Sequence, residues 1–394
     1  MKLFLLAMLT FAIGVVTGQT KLRIDPNGAE APMFSELFEE VKFIPLETKT
    51  QSIFGSIKQL FVTKDFFIFT ETKTNNIMIF YRNGKFKTKI DRDIYSSGSI
   101  NIDFENERIY YNKGYTIYSF NYEGKSLGIF GDKRIGNRYI VGKNNTVYYD
   151  KRVNKVLPDS ISHEISFFKG TTVETQLFPY NMRNDKFMAE DTYQVMHSFF
   201  YTIGNGTQAL FTRPYHYTIY NATSAGVDSL FQIVLPYELS LNVEELNNNK
   251  RYPAGSKSSY FKDHPDHIQS ITFPYSIGNN LFFKLQPSNV IPDSYLYRLD
   301  SENLYRIDQI KADKKSYYFN VLNVLMPSEF VNKNFLVADE EYIYTIMPAD
   351  VLKEQYKNNK SRGLTAEYPE DLLKFLTGRN KNANYVIVAL KPKK

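Results

Sequence analysis

Asn76 to Phe86 reads NIMIFYRNGKF, and Thr116 to Ser126 reads TIYSFNYEGKS. A shift of 40 lays Ile77 on Ile117, Phe80 on Phe120, Gly84 on Gly124 and Lys85 on Lys125. Each stretch runs through apolar positions to an aromatic residue, as a short strand does, and then enters a tight turn at Asn83-Gly84 or Glu123-Gly124. Residues of those types accept the positive φ that a short hairpin requires. A second short strand precedes each unit, Phe66 to Phe69 and Arg108 to Tyr111, and a further strand follows each Lys. Two hairpins per period describe a four-stranded blade, and we expect the quoted stretch to be its inner hairpin.

Weaker copies follow along the chain. Val147-Tyr148-Tyr149 echoes Ile109-Tyr110-Tyr111, and Tyr217-Thr218-Ile219-Tyr220 repeats Tyr115-Thr116-Ile117-Tyr118 in all four places. Tyr295 to Asp300 has the same alternation, and Asn334 to Ala338 with Tyr342 to Ile346 makes a last hairpin around Asp339-Glu340-Glu341. Six units at a period near 40 to 45, with turn signals between short strands, predict an all-β fold, a six-bladed β-propeller. A sandwich of this length would be unusual, and a β-helix would repeat over a shorter period. The absence of Trp argues against the WD type.

A ring must close to remove its open edges. The segment Lys21 to Asp25 and the strand Val41 to Leu46 are expected to complete the last blade beside Tyr385 to Leu390, YVIVAL. A short helical insertion is expected at about residues 348–378, with helices over Pro348 to Tyr356 and Pro369 to Leu376. Pro369 suits a first helical turn and Gly378 a C-cap.

The chain opens with MKLFLLAMLTFAIGVVTGQT. Lys2 precedes an apolar run from Leu3 to Val16, and small residues lead up to Gln19. The run is short of the roughly 20 apolar residues of a membrane span, so residues 1–18 are expected to be a cleaved signal peptide, leaving 19–394 as the propeller. The protein is then exported, periplasmic or extracellular, with no membrane span after cleavage. With no cysteine in the chain, it is not a lipoprotein and has no disulfide or thiolate chemistry. The net charge of +6 is spread along the chain, unlike the clustered basic stripe of a nucleic-acid site. No nucleic acid partner is expected.

These residues are similar to the six-bladed β-propeller family of exported proteins abundant in Bacteroidota. The resemblance rests on Phe43-Ile44-Pro45-Leu46-Glu47-Thr48, Ile53 to Ile57, Phe80 to Phe86, Tyr217 to Tyr220 and Asn384 to Leu390, and covers the chain from about Phe34 onward. Family members often carry a lipid-bearing cysteine after the signal and Asn-Pro before the last strand. This chain has no cysteine, and it has Asn384-Tyr385. The resemblance implies an envelope or secreted propeller and brings no catalytic residues with it.

Candidate chemistry is sparse. Asp263-His264-Pro265-Asp266-His267 concentrates imidazoles and carboxylates, so Asp263, His264, Asp266 and His267 are candidate metal ligands. A polar loop before a strand accounts for them as well. No G-x-S-x-G elbow occurs, and no carboxylate pair is marked by spacing as a glycosidase site. Glu39-Glu40 and Glu340-Glu341 read as surface and turn residues. Gly204-Asn205-Gly206-Thr207 lacks the Lys of a phosphate loop and reads as a hairpin turn. Arg251 to Tyr260 reads as a loop able to touch a ligand. No cofactor is expected. The composition therefore points to a binding or interaction module for a glycan, peptide or envelope protein. The alternatives are a propeller enzyme acting on glycans, lyase or hydrolase, and a structural component of an envelope assembly. Oligomeric state is left open.

Overall fold

A computed structural model describes residues 19–91, 100–113, 116–130, 137–140, 145–149, 160–169, 172–180, 201–203, 206, 208–213, 215–223, 226–246, 251–252, 257–287, 293–322, 337–378 and 383–394. Its strands form six sheets. Blade one is Ile57–Val62, Phe66–Glu71, Ile77–Tyr81 and Phe86–Ile90, and blade two is Ile100–Asp103, Arg108–Lys113, Thr116–Asn121 and Ser126–Phe130. Blade three is Asn137–Ile140, Asn145–Tyr149, Ser162–Lys169 and Thr172–Tyr180. Blade four is Tyr201–Ile203, Gln208–Thr212, Thr218–Thr223 and Gly226–Val234, and blade five is Ile268–Ile277, Asn280–Pro287, Asp293–Arg298 and Leu304–Arg306. Blade six takes Val337–Ala338, Ile343–Met347 and Val386–Pro392 from the end of the chain and Phe38–Pro45 from its beginning.

The first strands of blades two and three, of four and five, and of six and one lie against one another, and that of blade four also meets that of blade six. First strands therefore surround the axis. This corrects one expectation: Ile77–Tyr81 with Phe86–Ile90 is the outer hairpin of blade one, and Thr116–Asn121 with Ser126–Phe130 the outer hairpin of blade two. The turn glycines behave as the repeat requires. Gly84 has φ +82° and Gly124 φ +77°, the left-handed region that a side chain resists.

Strand faces pack blade on blade. Ile68, Ile77 and Ile79 of blade one share a buried cluster with Ile100, Ile102 and Ile109 of blade two. Leu210, Ile219 and Phe231 of blade four do the same with Ile271, Leu281 and Phe283 of blade five. The largest cluster joins blades five, six and one, and includes every residue from Val386 to Leu390. A strand buried on both faces loses alternation and reads as a continuous apolar run. At roughly 1.5–3 kcal/mol for each fully buried large side chain, these seams are the main support of the ring.

Phe38–Pro45 pairs antiparallel with Val386–Pro392, as expected of the closing strand. Asn384 clasps the junction: its backbone N–H donates to Thr48 Oγ1 at 2.9 Å, and its Nδ2 donates to the carbonyls of Glu47 and Ser52, each at 2.8 Å. Tyr385 stacks on Phe54. The segment Lys21 to Asp25 does not join blade six. Thr20–Arg23 instead lies parallel to Gly226–Val234 as a fifth strand of blade four. Glu30 and Met33 then bridge to Tyr305 and Lys311 beside blade five. The start of the chain is thus a strap over two blades before it closes a third. Leu22 and Ile24 bury their side chains against blades four and five, which fixes the strap where it lies.

Two helices occupy Ala349–Ser361 and Glu370–Thr377. Leu352, Leu372 and Leu376 anchor them in the largest cluster. Pro369 stands just before the second helix as its N-cap, and Gly378 follows it with φ −64°, a region open to any residue. The first helix also holds the turn after blade five. Its Gln355 accepts from the Asn320 N–H at 2.7 Å, and Asn359 Nδ2 donates to the carbonyls of Tyr317 (3.4 Å) and Tyr318 (3.0 Å). Those tyrosines have φ +55° and +58°, a strained conformation that such bonds sustain. Asn359 is therefore committed inside the fold, and the Asn-Lys-Ser sequence it begins is no glycan acceptor there.

Candidate functional site

The turns after first and third strands share one face of the ring. On that face Thr63 to Phe66 and Arg82 of blade one, Phe104, Glu107 and Tyr122 of blade two, and Asp339 to Tyr342 of blade six surround a pocket of about 700 Å³. That volume suits a small ligand. Phe104 reaches the corresponding turn of blade four, where a Cβ added to Gly206 would lie 2.5 Å from its ring. Gly206 has φ +77° between Tyr201–Ile203 and Gln208–Thr212, which pair antiparallel; the other residues of the expected turn, 204, 205 and 207, lie outside the described residues.

Arg82 organises the pocket wall. Nη1 donates to the Thr63 carbonyl at 2.8 Å, and Nη2 lies 3.1 Å from Asp339 Oδ2 and donates to the Tyr344 hydroxyl. The guanidinium also lies over the Phe67 ring, 4.9 Å from its centroid. Asp339 Oδ2 accepts from Tyr344 as well, and Oδ1 accepts the N–H groups of Glu341 (2.9 Å) and Tyr342 (2.8 Å). Both oxygens thus hold the turn. Burial, reinforced by the Asp339 charge, pushes the Tyr344 hydroxyl up, and burial with Glu107 and Asp103 does the same to Tyr122. Both phenols stay protonated. Tyr342 donates to Glu40 at 2.7 Å and accepts from Lys42, tying this turn to the closing strand.

The rim differs from the wall. Lys64, Asp65, Glu107, Glu340 and Glu341 are exposed, and among the described residues none of these side chains makes a hydrogen bond or ion pair. Four free carboxylates against one ammonium leave the rim acidic, since Arg82 is matched by Asp339. Phe66 is half-buried there, edge to face with the buried Tyr122 ring, centroids 5.8 Å apart, and the Lys87 ammonium lies over it, 4.4 Å from its centroid. The arrangement offers acceptors beside a half-buried aromatic ring. It places no enclosed carboxyl, of the kind that serves as a general acid, beside a nucleophile.

The sequence candidates lie elsewhere. Asp263 ends the helix Lys257–Asp263, and His267 precedes the strand Ile268–Ile277. The rings of His264 and His267 stack with centroids 4.5 Å apart. The Tyr260 hydroxyl and His267 Nδ1 are 2.7 Å apart, Asp263 accepts from Tyr252 at 2.8 Å, and His264 Nε2 stands 3.5 Å from Glu245. Burial lowers the His267 imidazole, with His264 adding to it. Asp266 contributes only its charge, which opposes that shift. Among the described residues no three His, Asp or Glu side chains converge as a metal set. Tyr252 and Tyr260, at the two ends of the loop expected to touch a ligand, are instead buried at 5% and 0% exposure with Tyr215, Leu246 and Phe261.

Sequence reasoning picked out Asp339 to Glu341 as a turn and passed over Lys64, Asp65, Arg82, Glu107 and Tyr122. Their shared signal is position within the repeat, since each follows the first or third strand of its blade.

A six-sheet ring closed by Phe38–Pro45 against the last strand, Val386–Pro392, with a pocket at one mouth, defines a six-bladed β-propeller. The sequence matches the family model DUF5128, 6-bladed beta-propeller, over residues 19–247, and the chain belongs to that family. Among solved structures it is similar to a protein of Bacteroides fragilis NCTC 9343 whose name describes it as exported. The identity is 14%, the coverage 95% of this chain and 100% of that one, and the TM-score 0.68. A DUF4221 member from Bacteroides vulgatus matches at 10% identity over 91% of this chain and 98% of that one, with a TM-score of 0.47. A comparison with curated proteins gives no match. Among the described residues no helix is long and apolar enough to cross a membrane. The expected signal peptide, residues 1–18, lies outside the described residues.

Proposed function

We propose that this chain is an exported binding protein that takes a glycan at the acidic mouth pocket. One observation carries the reading: the pocket sets free carboxylates around the half-buried Phe66 ring. Carboxylates accept from sugar hydroxyls and aromatic faces cover sugar C–H surfaces, whereas the groups best placed for chemistry, Arg82, Asp339 and Tyr344, are bound to one another. Removal of residues 1–18 would release the chain into the periplasm or beyond, with Thr20 already beside blade four.

An oligosaccharide array probed with residues 19–394 tests this. The account expects saturable binding that survives 0.5 M salt and falls at least tenfold in Glu107→Gln. Binding only to lysine-rich peptides, lost in salt as exposed charge pairs are, would replace the glycan with a basic peptide. No binding to either would reject the pocket as the site.

A further inference from the structure

Phe38–Pro45 is the outermost strand of blade six and pairs on one side only. The Leu46 N–H donates to the Tyr385 carbonyl at 3.1 Å, which sets the parity of the strand. Lys42 and Ile44 turn their backbone groups into the sheet, and Val41 and Phe43 turn theirs outward. Among the described residues, no backbone group of Val41 or Phe43 has a hydrogen-bond partner on that side. Residues 39–44 line, without a break, a groove of about 980 Å³. Consecutive strand residues point to opposite faces, so a groove that touches all of them runs along the edge.

The groove has firm walls. One is the turn from Asp313 to Tyr317, where Asp313 accepts from the N–H groups of Ser35 and Lys315, each at 2.8 Å, and Asn359 pins the Tyr317 carbonyl. The other is formed by Ala366, Glu367, Pro369, Asp371 and Leu372.

We propose that the groove takes an extended polypeptide segment of a partner protein, which adds to Phe38–Pro45 as a further strand of blade six. This surface is separate from the mouth pocket and stands whether or not that pocket binds a glycan. The chain itself shows the mode. Its own start runs alongside the outer strand of blade four and bridges to blade five, but the edge of blade six carries no such segment among the described residues. Other outer strands are defended differently. Blade two has a register shift at Gly128, and blade one presents Lys89, both of which discourage strand addition, whereas the one lysine of Phe38–Pro45, Lys42, is drawn to Glu40 and Tyr342. On blade six Pro45, without an N–H, ends the ladder on one side, and the register shift between Phe38 and Glu40 ends it on the other. The donors and acceptors of Val41 and Phe43 remain between them. Glu39, Glu40, Asp313, Glu367 and Asp371 outnumber Lys42, Lys314 and Lys315 in the lining. But Glu40 pairs with Lys42, Glu39 with Lys391, and Asp313 holds its own turn, so little net charge is left over and recognition rests on the partner's main chain.

The test uses residues 19–394 and the peptide acetyl-Thr-Val-Thr-Val-Thr-Val-amide, with its fully N-methylated form as control. In the free protein the amides of Val41 and Phe43 should exchange with solvent faster than those of Lys42 and Ile44, read by NMR. Peptide should slow Val41 and Phe43 at least tenfold, and the N-methylated form should not. Val41→Pro, which removes an outward donor, should weaken binding at least tenfold. If that variant does not fold, the exchange data on the unaltered chain decide alone. Val41 and Phe43 amides already protected without peptide, no slowing at 1 mM peptide, or equal binding of the N-methylated form would each overturn the proposal.

Discussion

Replacing Lys284 with methionine should stabilise the protein at neutral pH and remove a pH dependence that the unaltered chain shows. Lys284 is fully buried on the central strand Asn280–Pro287. Thr272 and Ser294 are its cross-strand neighbours, and its ammonium lies 5.2 Å from the Phe273 ring centroid. Burial pushes the amine down from 10.5 to about 7, with the Asp308 charge acting in the opposite direction. The unfolded chain protonates this lysine below about 10.4, the folded chain only below about 7. Between those values the unfolded state holds more protons, so stability rises with pH. For this one group the gain from pH 7 to 9.5 is about 3 kcal/mol, over a range below the ordinary tyrosine titration. Methionine keeps the apolar stem and drops the amine, so Lys284→Met should be more stable at pH 7 by roughly 2–4 kcal/mol. Its own stability should lack that rise. Urea unfolding of both chains at pH 7 and 9.5, followed by circular dichroism, measures the difference of differences, in which all other groups cancel. Parallel pH profiles, or a variant less stable at pH 7, would refute the burial argument.

Four further substitutions probe the joints of the ring by urea midpoint. Asn384→Ala removes two donors from buried carbonyls at the closure and should cost about 2–4 kcal/mol. Gly84→Ala should cost about 2 kcal/mol or more and exceed Gly124→Ala. Both glycines have positive φ, but the new Cβ would lie 2.3 Å from the Pro45 carbonyl oxygen at Gly84 and no closer than 3.2 Å to Thr88 Cγ2 at Gly124. Glu164→Gln leaves Arg213, which now meets Glu164 at 2.6 Å across blades three and four, partly buried without its counter-ion, for a loss of about 3 kcal/mol.

The ring was legible because its cause is local and recurrent. Gly84 and Gly124 must turn the chain at positive φ, so the residues around them repeat, and Val386 to Leu390 is apolar throughout because both its faces are covered. The strap was not. Lys21 to Asp25 signals a strand, but its parallel partner more than 200 residues away is chosen by Leu22 and Ile24 fitting between blades four and five. The pocket was hidden for the same reason. Arg82 and Asp339 are 257 positions apart, and only ring closure brings their turns to one mouth. Asp263 to His267 showed the reverse: a dense local cluster of ligand types that serves to cap a buried aromatic group.

The central claim is that a glycan occupies the mouth pocket, and methyl NMR of residues 19–394 with the oligosaccharide that the array selects tests it directly. Val62 lines the mouth pocket and Val41 the groove beside blade six. The account predicts that the Val62 methyls shift on titration and those of Val41 do not, with the shift lost in Glu107→Gln. Saturable binding that leaves Val62 unmoved would contradict it.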